Sequence, residues 1–127
     1  MTPAWLNDNV QAFGRQMGLS GFRLAENGAA GVRFENGLSL RFEYADGALM
    51  VSMGVSAEPD EETLKRLLTS AHPSASRPLR VRTAYLAKSG EALFVVRLAE
   101  REVTVTALEA VFRMLWSAAD RLRRAAA

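Results

Sequence analysis

The side chains able to do chemistry in this sequence are few and scattered. The only histidine, His72, stands directly before Pro73 and reads as a loop residue. With no cysteine in the chain, there is no thiolate for a zinc site, no Cys–His nucleophile pair and no disulfide. The acidic run Glu58, Asp60, Glu61 and Glu62 lacks the spaced ligands and central glycine of a calcium loop. It reads instead as the first turn of a helix, where carboxylates face the positive end of the helix dipole. Gly28, Gly31, Gly37, Gly47 and Gly90 fall at turns or a strand edge, and none completes a G-x-G-x-x-G or G-x-x-x-x-G-K phosphate cradle. The serines form no nucleophile elbow. Residues 72–90 hold Arg77, Arg80, Arg82 and Lys88 with no acid. Such a stretch suits an acidic partner or nucleic acid. No aromatic side chain lies between Arg77 and Arg82 to stack on bases, so the stretch reads as solvated turn and strand face. The expectation is a protein without catalytic residues, metal, cofactor or nucleic-acid partner.

What the chain offers instead is apolar surface. Of its 127 residues, 49% are apolar and 24% charged, with a net charge of +2. That is ordinary for a soluble globular chain, and the length fits one domain over residues 1–127. Asp8 and Asn9 interrupt the apolar core that a signal peptide needs, and no run approaches the ~18 apolar residues of a membrane span. A soluble intracellular protein without membrane insertion is expected.

The elements that must position this surface are legible from periodicity. A first helix is expected over Thr2–Met17, with Thr2 as cap and Pro3 in its first turn. Trp5, Leu6, Val10, Phe13 and Met17 line one side of it, and Gly18 stops it. The stretch "FENGLSLRFEYADGALMVSMGV" alternates almost throughout and reads as part of a three-stranded antiparallel meander over about 29–34, 38–45 and 48–55. A three-residue Glu35-Asn36-Gly37 loop keeps apolar residues on one face, pairing Phe34 with Leu38 and Val32 with Leu40. A two-residue Asp46-Gly47 loop pairs Tyr44 with Leu49, Phe42 with Val51 and Leu40 with Met53.

A second helix is expected over Pro59–Ala71, with Leu64, Leu67, Leu68 and Ala71 as a narrow stripe ended by His72-Pro73. A second hairpin follows. A two-residue Ser89-Gly90 loop pairs Lys88 with Glu91, Tyr85 with Phe94, Thr83 with Val96 and Val81 with Leu98. On its other face Leu86 then meets Leu93, and Ala84 meets Val95. Apolar residues on both faces indicate that something packs against each. A third helix is expected over Val105–Arg124, with Thr106-x-x-Glu109 as a capping box and a Glu109–Arg113 pair. Its stripe is Leu108, Val111, Phe112, Leu115, Ala119 and Leu122. The fold class is therefore α+β, in the order α-β-β-β-α-β-β-α, with a twisted antiparallel five-stranded sheet and three helices.

The helix ending "GRQMGL", the "FENGLSLRFEY" hairpin, a capped Leu-rich helix, "SGEALFVVRL" and a long last helix resemble, in that order, the small effector-binding class of type III secretion chaperones. The resemblance covers nearly the whole chain. It implies a bacterial cytoplasmic homodimer that binds the unfolded N-terminal segment of one or more secreted effectors and keeps it soluble and secretion-competent. The ATPase of the secretion apparatus is a further implied partner. It places the client beside the first helix and first strand, at Trp5, Leu6, Val10, Phe13, Met17, Val32 and Phe34. It implies a dimer interface built from the second helix and the fourth strand; with the hairpin apolar on both faces, the expected interface is Leu64, Leu67, Leu68, Ala84, Leu86, Leu93 and Val95. The alternative is a regulator of the same fold that sequesters a transcription factor or another chaperone. The family is commonly acidic, whereas this chain has a pI of about 9.5.

Overall fold

A computed structural model of the chain describes residues 2–57, 60, 62, 65 and 81–126. Helix α1 spans Ala4–Gln16. Three strands follow: β1 (Ala29–Arg33), β2 (Ser39–Ala45) and β3 (Ala48–Ser56). The second hairpin comprises β4 (Arg82–Leu86) and β5 (Glu91–Ala99), and a 3-10 turn at Glu100–Glu102 leads into helix α2 (Val105–Ala126). The five strands form one antiparallel sheet in the order β1-β2-β3-β5-β4. The α+β class and the sheet agree with expectation. Two complete α-helices stand among the described residues; of the helix expected over Pro59–Ala71 only residues 60, 62 and 65 are described, with Glu62 and Lys65 helical, and the rest lies outside them.

The helix ends follow from backbone accounting. Helix α1 has Pro3 as its N-terminal cap, without a side-chain bond, so Thr2 does not cap it. Its other end closes as expected at Gly18, whose φ of 74° is comfortable only for a residue without a Cβ. Gly18 donates to the Arg15 carbonyl (3.2 Å) and Leu19 to that of Gly14 (2.7 Å), satisfying two otherwise orphaned acceptors. Helix α2 is capped by Thr104, whose Oγ1 accepts from the Ala107 amide at 3.0 Å, and not by Thr106. The expected capping box is thus displaced. Glu109 instead reaches Arg113 at 3.5 Å, as its i,i+4 spacing allows.

Both helices pack on one face of the sheet. Leu38, Leu40, Phe42, Leu49, Val51 and Met53 from the meander meet Leu108, Val111, Leu115 and Ala119 of α2 in a continuous core. The meander registers agree with the sequence reading: Val32 faces Leu40, Phe42 faces Val51 and Tyr44 faces Leu49. The second hairpin does not. Leu86 faces Glu91, Ala84 faces Leu93 and Arg82 faces Val95, so the loop is Ala87–Gly90, two residues longer than expected. A two-residue type I′ loop needs positive φ at both positions. Gly90 has φ 63°, but Asp46 is the sole described non-glycine residue with positive φ, so Ser89 does not supply the second.

Candidate functional site

The strand order leaves β1 and β4 as the sheet edges. In an antiparallel pair, residues alternate between facing their partner with main-chain groups and turning them away. Two bonds fix the alternation in β1: Tyr44 donates to the Gly28 carbonyl (2.8 Å), and Phe34 donates to that of Leu38 (2.8 Å). Even-numbered residues of β1 therefore spend their main-chain groups on β2, whereas those of Ala29, Gly31 and Arg33 point away from the sheet. Ala29 is closed off locally: its amide donates to Asn27 Oδ1 (3.1 Å), and its carbonyl accepts from Ala25 (2.9 Å). The loop before β1 thus covers only the start of the edge. Gly31 and Arg33, both exposed, remain open for pairing.

Side chains under this edge form an aromatic ledge. Ala30, Val32 and Phe34 lie on the helix-covered face, half-buried against the core. The Phe34 ring meets Trp116 edge-on at 5.1 Å and Phe112 at 6.1 Å, and those two rings lie 5.6 Å apart. Phe112 continues inward to Phe13, which stacks on Phe42 at 5.5 Å. The ledge runs without a break from a half-exposed rim into the core. Phe112 and Trp116 were missed as site residues by sequence reasoning. Their i,i+4 spacing, which puts them on one helix face, was the available signal.

The expected helix stripe divides. Leu6, Val10 and Phe13 are fully buried, so in the free chain they support the sheet and present no contact surface. Trp5 and Met17 remain outside at 46% and 36% exposure. Helix α1 is locked in place by Asn7, whose side chain accepts from the Leu24 amide at 3.0 Å, and by Asn9, which donates to the Val103 carbonyl at 3.1 Å. Val32 and Phe34 are therefore brought together with the ledge, and no ring contact joins Trp5 to it among the described residues.

The opposite face of the sheet carries neither α1 nor α2. Ala84 and Leu86 are exposed there, and Leu93 and Val95 half-buried; Leu64, Leu67 and Leu68 lie outside the described residues. An ion pair crosses this face. Arg41 of β2 contacts Glu91 of β5 at 2.9 and 3.3 Å, spanning β3 above Gly54. A Cβ at Gly54 would stand 2.5 Å from Glu91 Oε2, so the missing side chain is what lets the carboxylate lie across the sheet. Near the sheet's far end, Tyr44 donates to Glu100 at 2.6 Å, and that bond holds the phenol pKa above its ordinary value. Among the described residues no His, Cys, Asp and Glu cluster suits a metal ion, and no helix is long and apolar enough to cross a membrane.

Residues 8–123 match the Tir chaperone protein (CesT) family. A comparison with curated protein sequences finds no match. Several solved structures share the fold. A chain of the ExsC–ExsE complex superposes with a TM-score of 0.77 at 15% identity, covering 97% of this chain and 94% of that one. The Yersinia pestis type III secretion chaperone SycH, solved in complex with a stable fragment of YscM2, gives 0.72 at 17% identity, covering 92% and 98%. The heterodimeric ExoU–SpcU complex of the Pseudomonas aeruginosa type III secretion system gives 0.67 at 20% identity, covering 91% and 95%.

Proposed function

The chain belongs to the Tir chaperone protein (CesT) family, and on that premise we propose that it is a non-catalytic chaperone for the N-terminal segment of a type III secreted effector. In this reading the client stays extended, soluble and competent for export while bound. The observation that carries the proposal is the edge of β1, open at Gly31 and Arg33 beside the ledge of Phe34, Phe112 and Trp116. An extended peptide gains affinity from main-chain bonds to such an edge and specificity from pockets for alternate side chains. An unfolded segment, whose main-chain groups are unpaired, can lie extended along such an edge. Trp5 and Met17 extend the apolar contact along α1.

The sheet face opposite α1 and α2, at Ala84, Leu86, Leu93 and Val95, is the proposed contact between two copies, completed by Leu64, Leu67 and Leu68. An apolar patch above a few hundred Å² is unusual on the surface of a monomer. The direct test is to co-purify the tagged protein from its own bacterium and identify its companion. The expected result is an exported protein that is lost when its first ~100 residues are deleted, since a disordered segment of that order can wrap a large surface. Recovery of a transcription factor or another chaperone would assign the regulatory role instead.

A further inference from the structure

We propose that the open edge of β1 selects client segments with acidic side chains, and that Arg33, together with Arg41 across Gly31, is the selecting group. The inference rests on the strand-addition reading above. A strand added to β1 pairs narrowly with Gly31 and Arg33, because these residues turn their main-chain groups outward. In a pleated sheet the client residues opposite them then project on the same face as the Arg33 side chain, and the residue between them projects beside Val32 on the helix-covered face. The recognised pattern is therefore acidic–apolar–acidic.

Three features of the outer face set the charge. Arg33 is exposed and has neither an ion pair nor a hydrogen bond among the described residues. Arg41 stands opposite Gly31, and its Cγ lies 3.8 Å from where a Gly31 Cβ would be. Without that Cβ, a recess of about 240 Å³ opens between Gly31, Arg33, Ser39 and Arg41. A client side chain opposite Gly31 can therefore lie over the glycine and approach the Arg41 guanidinium, which spends two of its donors on Glu91. Guanidinium groups offer five donors in a fork that fits a carboxylate, so donors remain for a second one. The acid of β2 on this face, Glu43, sits opposite Ala29, at the end of β1 that is already closed. The charge thus grades from acidic at the closed end to basic at the open end.

The test uses three end-blocked peptides with one shared β-branched flanking sequence and Glu-Val-Glu, Gln-Val-Gln or Lys-Val-Lys at the centre, titrated into the full-length protein by fluorescence anisotropy. Cross-strand charge pairs predict that Glu-Val-Glu binds roughly 2- to 10-fold tighter than Gln-Val-Gln, with Lys-Val-Lys weakest. High salt should compress the order. Arg33→Gln should shrink the preference, and Arg33→Glu should place Lys-Val-Lys above Glu-Val-Glu; both replace an exposed side chain and leave the fold intact. Equal binding of all three peptides, lost together in Gly31→Pro, would overturn charge selection and leave strand addition standing. An order unchanged by Arg33→Glu would also overturn it. No binding by any peptide would remove strand addition, and this proposal with it.

Discussion

Two proline substitutions at neighbouring positions of β1 should have opposite consequences. The Val32 amide faces β2, where Val32 pairs with Leu40. Val32→Pro removes that ladder bond, worth about 1 kcal/mol net, and strands a carbonyl at about 1–3 kcal/mol more. The total is roughly 2–4 kcal/mol. At roughly 3–5 °C per kcal/mol for a chain of this size, the melting temperature should fall by roughly 6–20 °C. The Gly31 amide faces away from the sheet, so Gly31→Pro breaks no internal bond. A Cβ there meets its nearest neighbour, the Leu40 carbonyl oxygen, at an ordinary 3.5 Å. Proline is tolerated on an edge strand whose amide faces solvent, and it also restricts the unfolded chain, so the change in stability should stay within about 1 kcal/mol.

Client binding should separate the two variants in the reverse sense. Gly31→Pro deletes one of the main-chain donors offered to the client and puts a ring in its path, which should weaken capture of the effector segment about tenfold or more. Circular dichroism melting and isothermal titration with that segment read the two effects independently. Wild-type affinity in Gly31→Pro would refute strand addition at β1. A wild-type melting temperature in Val32→Pro would refute the assignment of even-numbered residues to β2, and with it the choice of Gly31 and Arg33 as the open positions.

Four further substitutions test the remaining parts. Phe13→Ala, in a fully buried ring cluster, should cost roughly 3–5 kcal/mol; Trp5→Ala, at 46% exposure, should cost only about 1 kcal/mol while weakening client capture. If Trp5→Ala melts like Phe13→Ala, Trp5 is scaffold and not contact. Leu86→Asp should convert a dimer of 13.9 kDa chains into monomers by light scattering, because a charge would be buried without a partner; a wild-type protein that is already monomeric refutes the interface. Asp120 accepts from Arg123 (2.6 Å) and Arg124 (2.9 Å), and the Arg123 bond, foremost, lowers its pKa. A lowered folded-state pKa stabilises above the unfolded value and is lost as pH falls through the folded one. Asp120→Asn should therefore melt below wild type at neutral pH, and the gap should close only below about pH 4; a gap that persists in stronger acid contradicts the pairing.

How much of this was legible depends on what each pattern constrains. The meander was readable because its core face excludes polar residues: a one-residue slip of β2 would have buried Arg41 and Glu43. Which β1 residues turn outward was not read from the sequence, although the three-residue loop that pairs Phe34 with Leu38 bears on it; the Phe34–Leu38 bond fixes it. Helix α1 was harder. Trp5, Leu6, Val10, Phe13 and Met17 all fall within one broad arc of the helix. The sequence does not say how much of such an arc a sheet will cover. Only Leu6, Val10 and Phe13 are fully covered, and Met17 lies beyond the last helical residue. At α2, Thr104 and Thr106 are both competent caps, and the chain uses the one that the preceding 3-10 turn delivers.

The second hairpin shows where the pattern itself runs out. Side-chain alternation has a period of two, so a slip of two residues leaves every side chain on its face and every apolar residue acceptably placed. The observed hairpin differs from the expected one by that slip. Patterning cannot choose between such registers; only the turn and the specific cross-strand partners can. Asp46 accepts a φ of 52° in its two-residue turn, and Asp is among the residues that tolerate that region. Ser89 gains less there, so the loop lengthens until one glycine at its end supplies the only left-handed residue. Glu91 then leaves Lys88 unopposed and faces Leu86, and its carboxylate is free to cross Gly54 and bind Arg41. The favourable Lys88–Glu91 pair that argued for the shorter loop is replaced by a bidentate guanidinium contact two strands away. Such a contact requires the order β2-β3-β5, which no local reading of the hairpin contains.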